Sequence, residues 1–219
     1  MIIIMLGAPG AGKGTVASIL SEKLNIPQLS TGDIFRKHIQ EKTELGRIAE
    51  SYTSRGLLVP DDITIRLAKE RLNQDDLKDG VILDGFPRTV HQAADLDKFL
   101  AEKGSKIDLA LNLVTPDEEI IQRVVNRRVC PECKSVYNIV LNPPKVDGIC
   151  DKCGHELQIR KDDNEETIKE RLRTYYEITE PVINYYESKG VIRTEQITEK
   201  LNRFGKDVAE DVVNYLKNR

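Results

Sequence analysis

GAPGAGKGT, residues Gly7 to Thr15, sits between the apolar run MIIIML and the helical pattern TVASILSEKL. A glycine-rich turn between a buried strand and a helix, closed by a lysine, is a phosphate cradle. Glycines at 7, 10, 12 and 14 let the backbone bend around an anion and turn its N–H groups inward, while the helix presents its positive end. Lys13 adds a point charge for the phosphates. One residue is out of place. The usual pattern puts Ser or Thr directly after the lysine to hold magnesium, whereas here Gly14 follows Lys13 and Thr15 comes one position later. Magnesium must then rely mainly on nucleotide phosphates and waters, which it tolerates, and Thr15 is left to contact a phosphate oxygen. An ion that travels with its nucleotide suits a phosphotransferase better than a switch that clamps nucleotide for long periods.

Outward from this loop, short apolar runs alternate with amphipathic stretches: IIIML at 2–6, VILD at 81–84, LALNLV at 109–114 and GVIRT at 190–194. The alternation predicts an α/β fold, a parallel sheet of the P-loop NTPase type covered by helices, with ligands at the carboxyl ends of the strands. Two segments break the pattern. Residues 30–59 read as two short polar helices, with Ser30 and Asp33 marking a helix start and a new helix opening near Asp61. Residues 128–163 are turn-rich and hold every cysteine. The expected organisation is a core of 1–29, 60–127 and 164–219 carrying a lobe at 30–59 and a lid at 128–163. NEETIKERLRTYYEITEPVINYYE then resumes as a long helical stretch with a bend expected at Pro181.

The 33 basic and 36 acidic residues nearly cancel, so no global field draws the chain to nucleic acid or an anionic membrane. MIIIML lacks a charged leader and meets glycine after six residues, so it reads as a strand, neither signal peptide nor span. The expectation is a cytoplasmic monomer with small-molecule partners and no nucleic acid or membrane partner.

All four cysteines fall in CPEC and CDKC, Cys130, Cys133, Cys150 and Cys153, with sixteen residues between the pairs. That is zinc spacing. Four thiolates fill a tetrahedron and leave no open position, so a structural zinc in a ribbon-like lid is expected rather than a catalytic one. A lobe of about 35 residues cannot build its own core, and metal binding supplies folding energy. The intervening KSVYNIVLNPPKVDGI has one aromatic residue and few cations, which argues against nucleic-acid binding. His38, His91 and His155 read as surface residues, with His155 the only one near the knuckles; Tyr175, Tyr176, Tyr185 and Tyr186 read as packing residues.

In VILDGFPRT, Val81 to Thr89, an aspartate ends a buried strand and an arginine follows a Gly-Phe-Pro turn. Asp84 is placed to orient magnesium-bound water and Arg88 to grip phosphate in a bidentate manner. Taken together, GAPGAGKGT, STGDIFR, GLLVP, DGFPRTVHQ, RVVNRR and RKDDNEETIKERL resemble the adenylate kinase family in its long-lid, zinc-bearing form, in order and through nearly the whole chain. The family uses the shifted Gly-Lys-Gly-Thr arrangement. The resemblance implies reversible, magnesium-dependent phosphoryl transfer between ATP and AMP, giving two ADP.

The same resemblance implies residue roles. Lys13, Asp84, Arg88, Arg123, Arg127, Arg160 and Arg171 would form the catalytic set, with Arg36 among the fixed cations. ATP would lie along Gly10, Ala11, Gly12, Lys13, Gly14 and Thr15, with Arg123 near its base, Arg127 on its phosphates, Val136 and Tyr137 closing from the lid, and the backbone near Lys206 meeting adenine. AMP would be held by Thr31, Arg36, Leu57, Leu58, Val59, Gly85, Phe86, Pro87, Arg88 and Gln92, with Gln92 reading adenine and Arg160 and Arg171 bridging the two nucleotides. An AMP phosphate is already anionic and needs no general base, so fixed cations that offset charge repulsion are what the chemistry requires. Lobes that close exclude water, the competing acceptor. Asp162 and Asp163 pair with arginines on closure or mark a hinge. Val16, where the family often has glutamine, and the long loop TEQITEKLNRFGKD depart from the family pattern. A kinase for UMP, CMP or GMP and a non-catalytic nucleotide-gated zinc protein remain as alternatives.

Overall fold

The computed structural model describes residues 1–201 and 203–218. Five strands form one parallel sheet: β1 (Ile2–Gly7), β2 (Gln28–Ser30), β3 (Val81–Asp84), β4 (Leu109–Val114) and, last in the chain, Ile192–Gln196, which is β7. Their order is β2-β3-β1-β4-β7, so β1 lies in the middle with its neighbours reached by connections in opposite directions. That reversal opens a crevice at the carboxyl ends of β1 and β3, where the phosphate loop and Asp84 stand.

Period-two alternation sends successive side chains of the strands to opposite faces. Ile3 and Met5 of β1 join Leu109, Leu111 and Leu113 of β4 in one apolar layer, whereas Ile4 and Leu6 join Leu83 and Ala110 in the other. Helix α1 (Lys13–Leu24), α6 (Asp117–Val125), α7 (Glu165–Thr174) and α9 (Gly205–Lys217) cover the first face through Leu20, Ile120, Ile168 and Val212. Helix α4 (Asp61–Leu72), α5 (Val90–Glu102) and α8 (Pro181–Glu187) cover the second through Ala68, Leu96 and Tyr186. Each large aliphatic side chain buried this way contributes about 2 kcal/mol of transfer free energy.

The two segments outside this sandwich are built differently. Helices α2 (Thr31–Gln40) and α3 (Glu44–Thr53) pack on each other around Phe35, Ala49 and Val59. Their starts are fixed by side chains: the hydroxyl of Ser30 accepts from Asp33 N–H at 3.2 Å and that of Thr43 from Gly46 N–H at 3.0 Å. Residues 127–158 contain a short antiparallel ribbon, β5 (Arg127–Val129) with β6 (Val136–Asn138), over a cluster of Cys130, Tyr137, Cys150 and Leu157.

Two expectations shift. The last strand runs over 192–196 rather than 190–194, because Gly190 takes φ +66° and spends the first residues on the turn out of α8. The irregularity expected at Pro181 lies just before it, as a π turn over Tyr175–Thr179, and Pro181 opens α8 at a position where its missing N–H costs nothing. The long helical stretch is therefore two helices joined by a wide turn. Among the described residues no helix is long and apolar enough to cross a membrane.

Candidate active site

The phosphate loop closes on its own lysine: Lys13 Nζ donates to the carbonyls of Gly7 at 2.7 Å and Ala8 at 2.8 Å. Burial of this ammonium, with Arg88, Arg171 and Arg127 nearby and only Asp84 opposing them, pushes its pKa from 10.5 down to about 7. Gly14, the residue in the magnesium-hydroxyl position, lies on the flank facing β3. A Cβ there would stand 3.4 Å from Asp84 Oδ2, so a larger side chain would press on the carboxylate. Asp84 is held by Gln28, whose Nε2 donates to Oδ2 at 3.1 Å. Thr15 is exposed on the first turn of α1.

After β3 the chain turns through Gly85, Phe86 and Pro87, all buried, with the Phe86–Pro87 peptide cis. The Gly85 carbonyl accepts from Arg88 Nε at 2.8 Å and from the buried Thr31 hydroxyl at 2.9 Å, which ties the turn to the start of α2. Burial beside Arg171 pushes the Arg88 guanidinium down to about 10. Leu57 and Leu58 are half-buried and Val59 is buried on the connection into α4. Gln92 is only 1% exposed, and both ends of its amide are engaged: Oε1 accepts from Arg88 N–H at 2.7 Å and Nε2 donates to Asp61 at 2.7 Å. The group assigned by resemblance to an adenine therefore props Arg88, and its other partner, Asp61, was not singled out in the sequence. Asp61 opens α4 just before a helical run, a position that reads as an ordinary helix start.

The remaining arginines converge from three elements. Arg127 on β5 makes a bidentate pair with the fully buried Asp163, and Arg171 on α7 donates to Asp162 at 2.9 Å. Arg160 is pushed down to about 10 by burial, with Arg36 and Arg127 adding repulsion, and Arg36 itself pairs with Asp33 at 2.6 Å. Asp162 and Asp163 thus hold two of the arginines that a phosphate would claim. Their own carboxyl environment is cationic: Arg171, Arg36 and Arg127 pull Asp162 below the usual range despite its burial. Six cations around one crevice, several desolvated, form a site that favours polyanions.

Arg123 lies at the far end of the loop, bonded to Glu119 at 2.8 Å, and Thr115 bonds the carbonyl of Ile197 at 2.8 Å. Neither Glu119 nor Thr115 was singled out in the sequence; position at the carboxyl end of β4 is the one signal that marks Thr115. Lys206 is exposed in the first turn of α9, adjoining Gly205, where a Cβ would contact Val16 and Thr15 at 3.3 and 3.4 Å.

In the lid, the Sγ atoms of Cys130, Cys133, Cys150 and Cys153 all lie within 4.8 Å of one another. A tetrahedral zinc with Zn–S of about 2.3 Å needs sulfur separations of about 3.8 Å, and the cluster brackets that value, with Cys130–Cys153 at 3.4 Å and Cys133–Cys150 at 3.5 Å and every pair within 4.8 Å. The His155 side chain is exposed and outside the cluster; the residue contributes its backbone, the carbonyl accepting from Cys150 N–H at 2.8 Å and the backbone also bonding Cys153. Val136 is exposed, but Tyr137 turns inward, its hydroxyl 3.5 Å from Cys150 Sγ and accepting from Asp151 N–H at 2.9 Å. Its ring serves the cysteine cluster, which leaves only its backbone for a nucleotide. Tyr175 and Tyr186 are buried as expected, whereas Tyr176 is 43% exposed and donates to Asp117.

The family model for adenylate kinase matches residues 5–191. The chain is 52% identical over 216 residues to the adenylate kinase of Acetivibrio thermocellus, covering 99% of this chain and 98% of the relative. It is 50% identical over 216 residues to that of Clostridium acetobutylicum, covering 99% of each, and 53% identical over 194 residues to that of Caldicellulosiruptor saccharolyticus, covering 89% of this chain and 90% of the relative.

Proposed function

Because the chain belongs to the adenylate kinase family, a family of phosphotransferases, we propose that its own crevice carries reversible phosphoryl transfer from ATP to AMP. The observation that carries the reading is the crowding of Lys13, Arg36, Arg88, Arg127, Arg160 and Arg171 around one crevice with too few carboxylates to balance them, so that burial and mutual repulsion lower the pKa of Lys13, Arg88 and Arg160. Such a cluster is stabilised by phosphates.

ATP lies along Gly10 to Thr15, with Lys13 and Arg127 on its phosphates and Arg123 and the backbone near Lys206 on the base side. AMP lies between Thr31, Arg36, the 57–59 connection and the Gly85–Arg88 turn. Arg88 grips its phosphate from below, in a position that Gln92 fixes through the Arg88 N–H. Arg160 and Arg171 span donor and acceptor, exchanging Asp162 and Asp163 for phosphate oxygens. No residue needs to remove a proton, because the attacking oxygen is already anionic; the work is alignment and charge neutralisation. Asp84 would hold the waters of the magnesium that enters with ATP, and the ion would supply neutralisation of charge on the transferred group.

The segments 30–59 and 128–163 act as two mobile domains that close over the core of 1–29, 60–127 and 164–219 and keep water out. The four cysteines would hold a zinc that ties the second of them together. Thiols kept available for a metal need reducing surroundings, which supports a cytoplasmic setting, and the near-balance of charge supports a protein that meets nucleotides rather than nucleic acid or membrane.

Initial rates of ADP formation from magnesium ATP with AMP, UMP, CMP or GMP, and with no acceptor, test the reading. AMP is expected to be preferred by at least tenfold with negligible hydrolysis alone. Preference for another base would overturn the reading of Thr31 and of the turn that Gln92 braces as an AMP site, and ATP loss without any acceptor would sink the kinase reading.

A further inference from the structure

The long loop before α9 is fastened to the far side of the phosphate loop by one carboxylate. Glu119, on the first turns of α6, accepts from Arg123 Nη2 at 2.8 Å, from Glu199 N–H at 3.1 Å and from the Thr198 hydroxyl. Glu119 and Arg123 are 19% and 12% exposed, so the pair is shielded enough to matter. The loop is closed on itself as well: Thr198 and Arg203 exchange backbone hydrogen bonds at 3.1 and 3.2 Å, and Arg203 donates to Glu195 at 2.6 Å and Asp211 at 2.7 Å. Its first residue, Ile197, gives its carbonyl to Thr115 and reaches the phosphate loop, where a Cβ on Gly12 would meet Ile197 Cδ1 at 3.4 Å. Its far end, Gly205, rests on Thr15 and Val16. Arg123 Nε is buried without a hydrogen-bond partner among the described residues.

We infer that Glu119 is a positioning residue for the donor nucleotide: it fixes Arg123 and the 197–205 loop as one unit beside the phosphate loop. The inference rests on the proposed reading of Arg123 as an ATP-side group. Glu119 touches no nucleotide in this arrangement. It sets the direction of the Arg123 guanidinium and holds the loop end against Thr15, so its loss loosens ATP binding and leaves the acceptor side, on the opposite flank of β1, untouched.

The test is steady-state kinetics of E119Q, T198V and R123A with ATP and AMP varied separately, alongside thermal unfolding. E119Q keeps the volume of the side chain but replaces a charged acceptor of three hydrogen bonds by a neutral amide, and the KM for ATP is expected to rise about tenfold. The KM for AMP is expected to stay within twofold and kcat to fall less than about threefold, because the interaction is made equally in ground and transition states. T198V removes a single donor and is expected to raise the KM for ATP by about threefold. If R123A raises the KM for ATP while E119Q and T198V leave it alone, the role of Glu119 is overturned and the reading of Arg123 stands. If R123A leaves the KM for ATP unchanged, that reading fails and takes the inference with it. Equal rises in both KM values with a lowered melting temperature would make Glu119 a general structural residue, which also overturns the inference.

Discussion

The segments 30–59 and 128–163 are similar excursions from one sheet, yet they hold themselves together by opposite means. The first folds into two capped helices whose apolar faces, Phe35 and Ala49 with Leu45 and Tyr52 beside them, cover each other and are closed by Val59 from the connection that follows. The second has three-residue strands and turns, and its interior is Cys130, Cys150, Tyr137 and Leu157 with Cys133 packed against them, while Val140, Val146 and Ile159 stay 67%, 62% and 57% exposed. Helices bring enough apolar surface to one face to support each other. A turn-rich ribbon of this length does not, and a metal on the four cysteines would replace the missing core.

The sharpest way to break that contrast is to remove the metal. With C150S, or under a strong chelator, a folding contribution on the order of 10 kcal/mol disappears from the lid. Hydrogen exchange across 128–163 is then expected to approach that of unstructured chain while 30–59 keeps its protection, and kcat/KM for ATP is expected to fall about a hundredfold. A lid that stays protected without metal would mean that Tyr137 and Leu157 suffice, and the contrast would collapse.

The converse prediction concerns Phe35, which is 7% exposed at the centre of the helical pair. F35A is expected to cost about 3 kcal/mol of local stability through the cavity it leaves. The loss should appear as faster exchange in α2 and α3 and a raised KM for AMP, with no change in chelator sensitivity or in the KM for ATP. A matching rise in the KM for ATP would show that the two segments are not energetically separate.

The contrast also explains what the sequence made legible. Gly7 to Thr15 and Asp84 to Arg88 could be read because each is a continuous stretch at a strand end, and the cysteine spacing is equally local. Glu119, Asp61 and Gln28 could not, since each acts on a residue brought near only by folding: Glu119 on Thr198, Asp61 on Gln92, Gln28 on Asp84. The inward turn of Tyr137 was hidden for the same reason, because an aromatic beside cysteines looks alike in sequence whether it faces a ligand or the knot. The π turn at 175–179 escaped because proline signals a disturbance without saying on which side of itself the helix yields.

Lys13 offers a test of which side of the crevice it serves. Between its folded pKa of about 7 and the ordinary 10.5, the unfolded chain keeps a proton that the folded chain has released. Raising the pH through this window therefore favours the fold, and the nucleotide-free protein is expected to gain stability from pH 7 to 9 by more than a K13M variant does. Phosphates beside Lys13 restore its proton. At pH 8.5 ATP binding should then take up a proton, detectable by calorimetry in buffers of different ionisation enthalpy, while AMP binding takes up little or none. Equal uptake with AMP would place Lys13 between the two nucleotides rather than on the donor side.

The smallest expected effect belongs to the one direct ion pair between the two excursions among the described residues, Lys161 Nζ to Glu50 Oε1 at 3.7 Å. Its position spans lid and lobe, so it invites the idea of a latch. Its surroundings argue otherwise: the side chains are 92% and 50% exposed, and a pair so hydrated is worth about 0.5 kcal/mol or less once side-chain entropy is counted. K161A should change kcat and both KM values by less than about twofold at 0.15 M salt, with the difference fading further as salt rises. R160A should act far more strongly, because Arg160 is buried beside Arg36 and Arg127 and has no comparable solvation to fall back on. If K161A slowed turnover as much as R160A, closure would be driven by surface attraction between the segments. A strong R160A effect with a silent K161A means that the two excursions, however differently each is built, meet through the phosphates they enclose.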